Sequence, residues 1–84
     1  MTNFERIPLK TESIALSGNQ EKVDCMGLCA TVYADGADIL IKAHPAVNDN
    51  EAFVLKNGGM ISLGGCFYVK AESGNARIIY CKTL

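Results

Sequence analysis

The sequence predicts an all-β fold, a small antiparallel β-sandwich or barrel of about seven to eight short strands. Val, Ile and Thr contribute 16 residues and Phe and Tyr another 6, the types that suit a pleated, half-buried surface. Eight Gly, six Asn and two Pro cut the chain at short intervals. No window of about twelve residues repeats apolar positions at helical spacing without a Gly or a turn dipeptide inside it. The 84 residues make one domain, and a 49% apolar content is too high for a chain that stays unfolded.

Taken in order, residues 1–12 are weakly patterned, contain Pro8, and read as an N-terminal arm outside the main sheet. Residues 13–84 form the single β domain. Strands are expected over 13–17, 21–25, 28–34, 37–43, 52–56, 60–63, 67–72 and 76–83. The turns between them fall at Gly18-Asn19, Asp35-Gly36, Asn57-Gly58-Gly59, Gly64-Gly65 and Gly74-Asn75. The longest connection, 44–51, is polar apart from Pro45, Ala46 and Val47, and loops of this kind are where function concentrates.

A tight hairpin loop fixes which residues face each other. A two-residue Asp35-Gly36 loop pairs Ala34 with Ala37, Val32 with Ile39 and Ala30 with Ile41, an all-apolar face. A Gly74-Asn75 loop sets Glu72 against Arg77, Ala71 against Ile78 and Val69 against Tyr80. A three-residue loop at Asn57-Gly58-Gly59, with one glycine in the left-handed conformation, pairs Leu55 with Ile61 and Phe53 with Leu63. These registers leave Leu40, Val54 and Ile79 on the outer faces, an apolar surplus that a neighbouring subunit would cover. A chain this short also buries a limited fraction of its surface, so a homo-oligomer is expected.

Eight Lys plus Arg stand against nine Asp plus Glu, a net charge of −1, and the cations are scattered. That distribution excludes the basic footprint of a nucleic-acid binder. No apolar run reaches membrane-spanning length, so no membrane partner is expected. Met1-Thr2-Asn3-Phe4-Glu5-Arg6 lacks a charged stretch followed by an apolar one, so no secretory signal is read there and the thiols are expected to be reduced.

Cys25 and Cys29 have a spacing that zinc tolerates, but Cys66 and Cys81 form no second knuckle, and the expected register sets Cys81 opposite Tyr68. The four read as small thiols at strand positions. His44, before Pro45, is a loop residue with no cysteine placed beside it for a nucleophilic pair. Asn48-Asp49-Asn50-Glu51 lacks the alternating ligands and glycine of a calcium loop. Gly58-Gly59 and Gly64-Gly65 precede no helix and so are turn chemistry rather than phosphate cradles. Tyr33 and Tyr68, on the wetter face, and Tyr80 offer a stacking surface with the 44–51 loop, the basis of an alternative reading as a small carbohydrate- or ligand-binding module. No nucleophile, base and orienting group come together, so no enzyme, catalytic residue, cofactor or metal site is expected.

Five stretches carry a resemblance: Ser13-Ile14-Ala15-Leu16-Ser17-Gly18, Val23-Asp24, Val32 to Ile41 around Asp35-Gly36, Phe53-Val54-Leu55-Lys56-Asn57-Gly58-Gly59, and Phe67 to Tyr80 around Ser73-Gly74. Together they resemble the small all-β minor virion proteins of tailed phages and prophages, of head-fibre or capsid-decoration type. The resemblance implies a non-enzymatic virion structural protein, assembled in the host cytoplasm, with a phage capsid or other virion protein as partner. The family pattern is structural, so it assigns no functional side chain.

Overall fold

The computed structural model describes residues 6–83. Six strands, β1 (Arg6–Ala15), β2 (Glu21–Asp35), β3 (Ile39–Lys42), β4 (Phe53–Leu55), β5 (Met60–Lys70) and β6 (Asn75–Thr83), form one antiparallel sheet in the order β1-β6-β2-β5-β3-β4. A short 3-10 turn, Asp49–Glu51, lies between β3 and β4. The all-β prediction holds, with six strands in place of seven or eight. Two pairs of expected strands are each one long strand: 21–25 joins 28–34 in β2, and 60–63 joins 67–72 in β5.

The reason is a bend. β2 and β5 run together as Glu21↔Val69 to Asp24↔Cys66 and again as Cys29↔Gly64 to Tyr33↔Met60, with the register shifting between Asp24 and Cys29. Met26 and Gly27 both adopt left-handed backbone conformations, φ 51° and 80°, and Gly65 opposite them has φ 72°. The Asp24 carboxylate accepts the Met26 backbone N–H at 2.9 Å, closing an Asx turn that fixes the bulge. An odd register shift exchanges the faces of a strand. Val23 and Cys25 therefore point inward before the bulge, and Ala30, Val32 and Ala34 after it.

The bend divides the sheet into two halves. In the first, β1, β6, the second part of β2 and the first part of β5 lie side by side; in the other are the first part of β2, the second part of β5, β3 and β4. Residues of both halves, among them Val32, Ala76 and Ile78 on one side and Val23, Ile39, Leu55 and Val69 on the other, belong to one buried cluster. The sheet is folded over a single core, which lets a chain of this length, with no α-helix among the described residues, bury fully such side chains as Ile39 and Ile78.

The three expected hairpins are not hairpins. β2 does not pair with β3, nor β4 with β5, nor β5 with β6. Ala30, Val32 and Ala34 face Tyr80, Ile78 and Ala76 of β6, whereas Ile39 and Ile41 face Leu55 and Phe53 of β4. Val69 faces Glu21 and Ile41, and Arg77 faces Tyr33 and Ser13 while pairing with the Asp35 carboxylate at 3.3 Å. Ile61 faces Val32, and Leu63 faces Ala30. Each tight turn is instead a corner carrying the chain from one half to the other. Two corners interlock: Gly36 N–H donates to Asn57 Oδ1 at 2.9 Å, and Asn57 N–H donates to Asp38 Oδ1 at 2.8 Å. The third packs against the first so closely that a Cβ on Gly74, φ 85°, would meet Asp35 O and Ala37 Cβ at 3.0 Å. Among the described residues, the one hairpin between consecutive strands is β3–β4, closed by the longest connection.

The expected N-terminal arm is also corrected over its described part. Arg6 to Glu12 belong to β1, which pairs with β6 from Arg6↔Thr83 to Ala15↔Asn75 with a bulge at Leu9. Residues 1–5 lie outside the described residues. Pro8 sits on this edge strand, where the missing N–H is tolerated.

Candidate functional site

Three places on the molecule gather chemistry-bearing side chains. The first is the bend, where the fold collects all four cysteines. Cys25 is in the bulge, buried and inward; Cys66 is opposite Asp24, exposed on the outer face; Cys29 is opposite Cys81, with Gly64 on its other side. The expected Cys81–Tyr68 pairing is thereby corrected, because Tyr68 faces Lys22 and Lys42. Burial pushes the Cys25 thiol up from its ordinary value, with further upward pressure from Asp24, Cys66 and Cys29. Among the described residues, no three His, Cys, Asp or Glu side chains stand close enough together to hold a metal ion.

The second place is the outer face of β3 and β5. The Lys42 side chain, 4% exposed, donates to Gln20 Oε1 at 2.8 Å and pairs with Asp49 Oδ1. Lys70 holds the other oxygen, Oδ2, at 2.9 Å. The two ammonium groups keep the Asp49 carboxyl below its usual range, Lys42 acting most strongly. This latch folds the 44–51 loop down onto the sheet and gives the buried lysine its counter-charge. Asp49 is thus engaged by lysines of the sheet. Asn48 Nδ2 reaches Glu51 Oε1 at 3.3 Å, and His44 Nδ1 accepts the Ala46 N–H at 3.2 Å, both local turn contacts. The pattern of the loop predicted its polarity; the latch depended on Lys42, which a strand pattern alone reads as an outward, wet residue.

The third is the apolar surface. Val54 and Leu40 are cross-strand neighbours on the outer face, and Phe53, next to Val54 on the edge strand β4, points to the opposite side in its pair with Ile41. Phe53 is 53% exposed and Val54 43%. Ile79, expected in the same surplus, lies on the other half between Thr31 and Thr11, half-buried. Leu9, Met26 and Met60 are also exposed, the last opposite Tyr33.

The tyrosines do not make a common platform. Tyr33 faces Met60 and Arg77 in one half, Tyr68 faces two lysines in the other, and Tyr80 is in the core. Tyr80 O–H donates to Glu12 Oε1 at 2.9 Å, and Lys10 Nζ stands 4.9 Å from its ring centre, so β1 closes the core margin with polar groups. Burial first, and the bond to Glu12 second, push the Tyr80 hydroxyl up to about 12.

No family model, no curated protein and no solved structure matches the chain.

Proposed function

We propose that the chain is a non-enzymatic structural subunit of a phage or prophage particle, a head-fibre or capsid-decoration protein that assembles through contacts with its own copies. The observation that carries this reading is the apolar end of the sheet. β4 is an edge strand of three residues whose outer backbone groups have no strand partner among the described residues, and Phe53 and Val54 stand exposed on it. Edge strands that stay alone are guarded by charge, proline, a bulge or very short length, and Phe53-Val54-Leu55 has only the last of these. A second copy laid against this edge would continue the sheet and take Phe53 and Val54 out of water. The stretches that resemble minor virion proteins point to the same class of protein and supply the phage context.

Size-exclusion chromatography with light scattering tests the assembly: an oligomer is expected, and Val54→Lys should shift it to monomer. A monomer for the parent chain at high concentration overturns that part. Mass spectrometry of purified particles from the source tests the virion role, which fails if the chain is absent from them.

A further inference from the structure

We infer that Cys29 and Cys81 are a redox pair, built to form a cross-strand disulfide when the protein meets a low-molecular-weight disulfide. The two residues are directly in register on neighbouring antiparallel strands, β2 and β6, although 52 positions apart in sequence. Directly opposed residues in such a ladder have Cα atoms about 4.5 to 5.5 Å apart, inside the roughly 4.4 to 6.8 Å span that a disulfide bridges. Both side chains lie on the same face of the sheet, because in-register partners always do. The Cys29 thiol already leans toward its partner, donating to the Cys81 carbonyl oxygen at 3.5 Å.

Access is asymmetric in a useful way. Cys81 is 6% exposed and its thiol is turned to the Ile79 carbonyl, 3.8 Å away, while Cys29 is only half-buried. On the flank away from Cys81, the residue opposite Cys29 is Gly64, where an added Cβ would meet only Leu28 O, at 4.0 Å. That open flank admits a small reagent to Cys29, and the other flank presents the resolving thiol. Cys29, as thiolate, attacks one sulfur of the reagent and releases one thiol, leaving a mixed disulfide. Cys81 then gives up its proton and attacks the Cys29 sulfur, forming the Cys29–Cys81 bond and releasing the second thiol. Two protein thiols are oxidised, and one reagent disulfide is reduced to two thiols.

The remaining cysteines do not offer an equal alternative. Cys25 is fully buried on the inner face and Cys66 is exposed on the outer one, so these two are presented to opposite sides of the sheet. The bond would clamp β2 to β6 beside the bulge, where the ladder ends at Cys29↔Cys81.

Treatment of the intact chain with oxidised glutathione, followed by intact mass and peptide mapping without reduction, tests the pair. The expected product is lighter by two hydrogen atoms, with the Cys29 and Cys81 peptides joined, and dithiothreitol reverses it. Cys25→Ser/Cys66→Ser should still lose two hydrogen atoms, whereas Cys81→Ser should stop at a glutathione adduct on Cys29. The oxidised parent should unfold at a higher guanidinium concentration than the reduced one, a difference that Cys81→Ser abolishes. A bond between any other pair, glutathione adducts alone on the parent chain, or a lowered unfolding midpoint after oxidation would overturn the inference. Mapping on the parent chain decides the matter even if a variant does not fold.

Discussion

The two halves of the folded sheet solve the same problem differently. The half built from β1, β6 and the adjoining parts of β2 and β5 is held by long ladders, with small inward side chains, Ala30, Ala34 and Ala76, letting its strands and the opposite half approach closely. Its outer face carries Thr31, Ser62 and Arg77, the last two exposed to water. The half ending in β3 and β4 has short strands of four and three residues, and it supplements them with the Lys42–Asp49–Lys70 latch on its outer face. Where backbone pairing is extensive, packing suffices. Where it is brief, a loop and an ion pair add the cohesion that the ladder lacks, and Phe53 and Val54 stand exposed at its margin.

A cavity cut in each half should have unequal effects. Ile78→Ala removes a fully buried side chain at the centre of the longer ladders and should cost about 3 to 5 kcal/mol, enough to unfold much of the protein. Leu55→Ala, on the three-residue edge strand, should cost nearer 2 kcal/mol because β4 can settle inward. Chemical denaturation of both variants measures the difference; equal losses would mean that the halves are equally constrained.

A smaller effect separates the halves at high pH. In the folded chain the Tyr80 hydroxyl titrates at about 12 against an ordinary value of about 10, so the unfolded chain loses this proton first. The contribution is complete below pH 10 and disappears as pH rises toward 12, on the order of 2 kcal/mol. Tyr80→Phe should flatten that alkaline limb in urea titrations, and it should lower neutral-pH stability through loss of the bond to Glu12.

The smallest effect lies at low pH in the other half. Asp49 is held below its ordinary carboxylate range when folded, so the unfolded chain binds the proton more readily. The latch is fully present above the unfolded pKa of about 3.9 and is lost as pH falls through the lower folded value. Hydrogen exchange should show residues 43–52 opening in that acid window before β6 does, and Asp49→Asn should open them at neutral pH as well. An unchanged loop in the variant would remove the latch from the account.

Much of the inner face was legible without the structure. Ala30, Val32, Ala34, Ile39, Ile41, Leu55, Val69, Ala71, Ile78 and Tyr80 are all buried, as alternation places them, because the strand period of two assigns faces residue by residue. Ala37, Ile61 and Leu63 are only half-buried, and Phe53 is exposed, on the core side of its pair with Ile41 but at the edge of the sheet. Pairing was not legible. Asp35-Gly36, Asn57-Gly58-Gly59 and Gly74-Asn75 have the chemistry of hairpin loops, but glycine and Asx residues serve equally at corners between the two halves. What selects the corner is contact with other corners, as when Asn57 bridges Gly36 and Asp38. The cysteines follow the same logic: their spacing in sequence says nothing of Cys29 meeting Cys81, which results from β6 inserting between β1 and β2.

That the chain is all β, where four of its five expected turns fall and most of the residues that line the core follow from the sequence alone, because these depend on local conformational preference and on alternation along one strand. Which strands are neighbours, the continuation of β2 and β5 through their bends, and the burial of Lys42 are instead set by packing across the whole molecule. Those outcomes rest on one core that must be closed from both sides at once, and closing it is a condition on the whole chain rather than on any stretch of it.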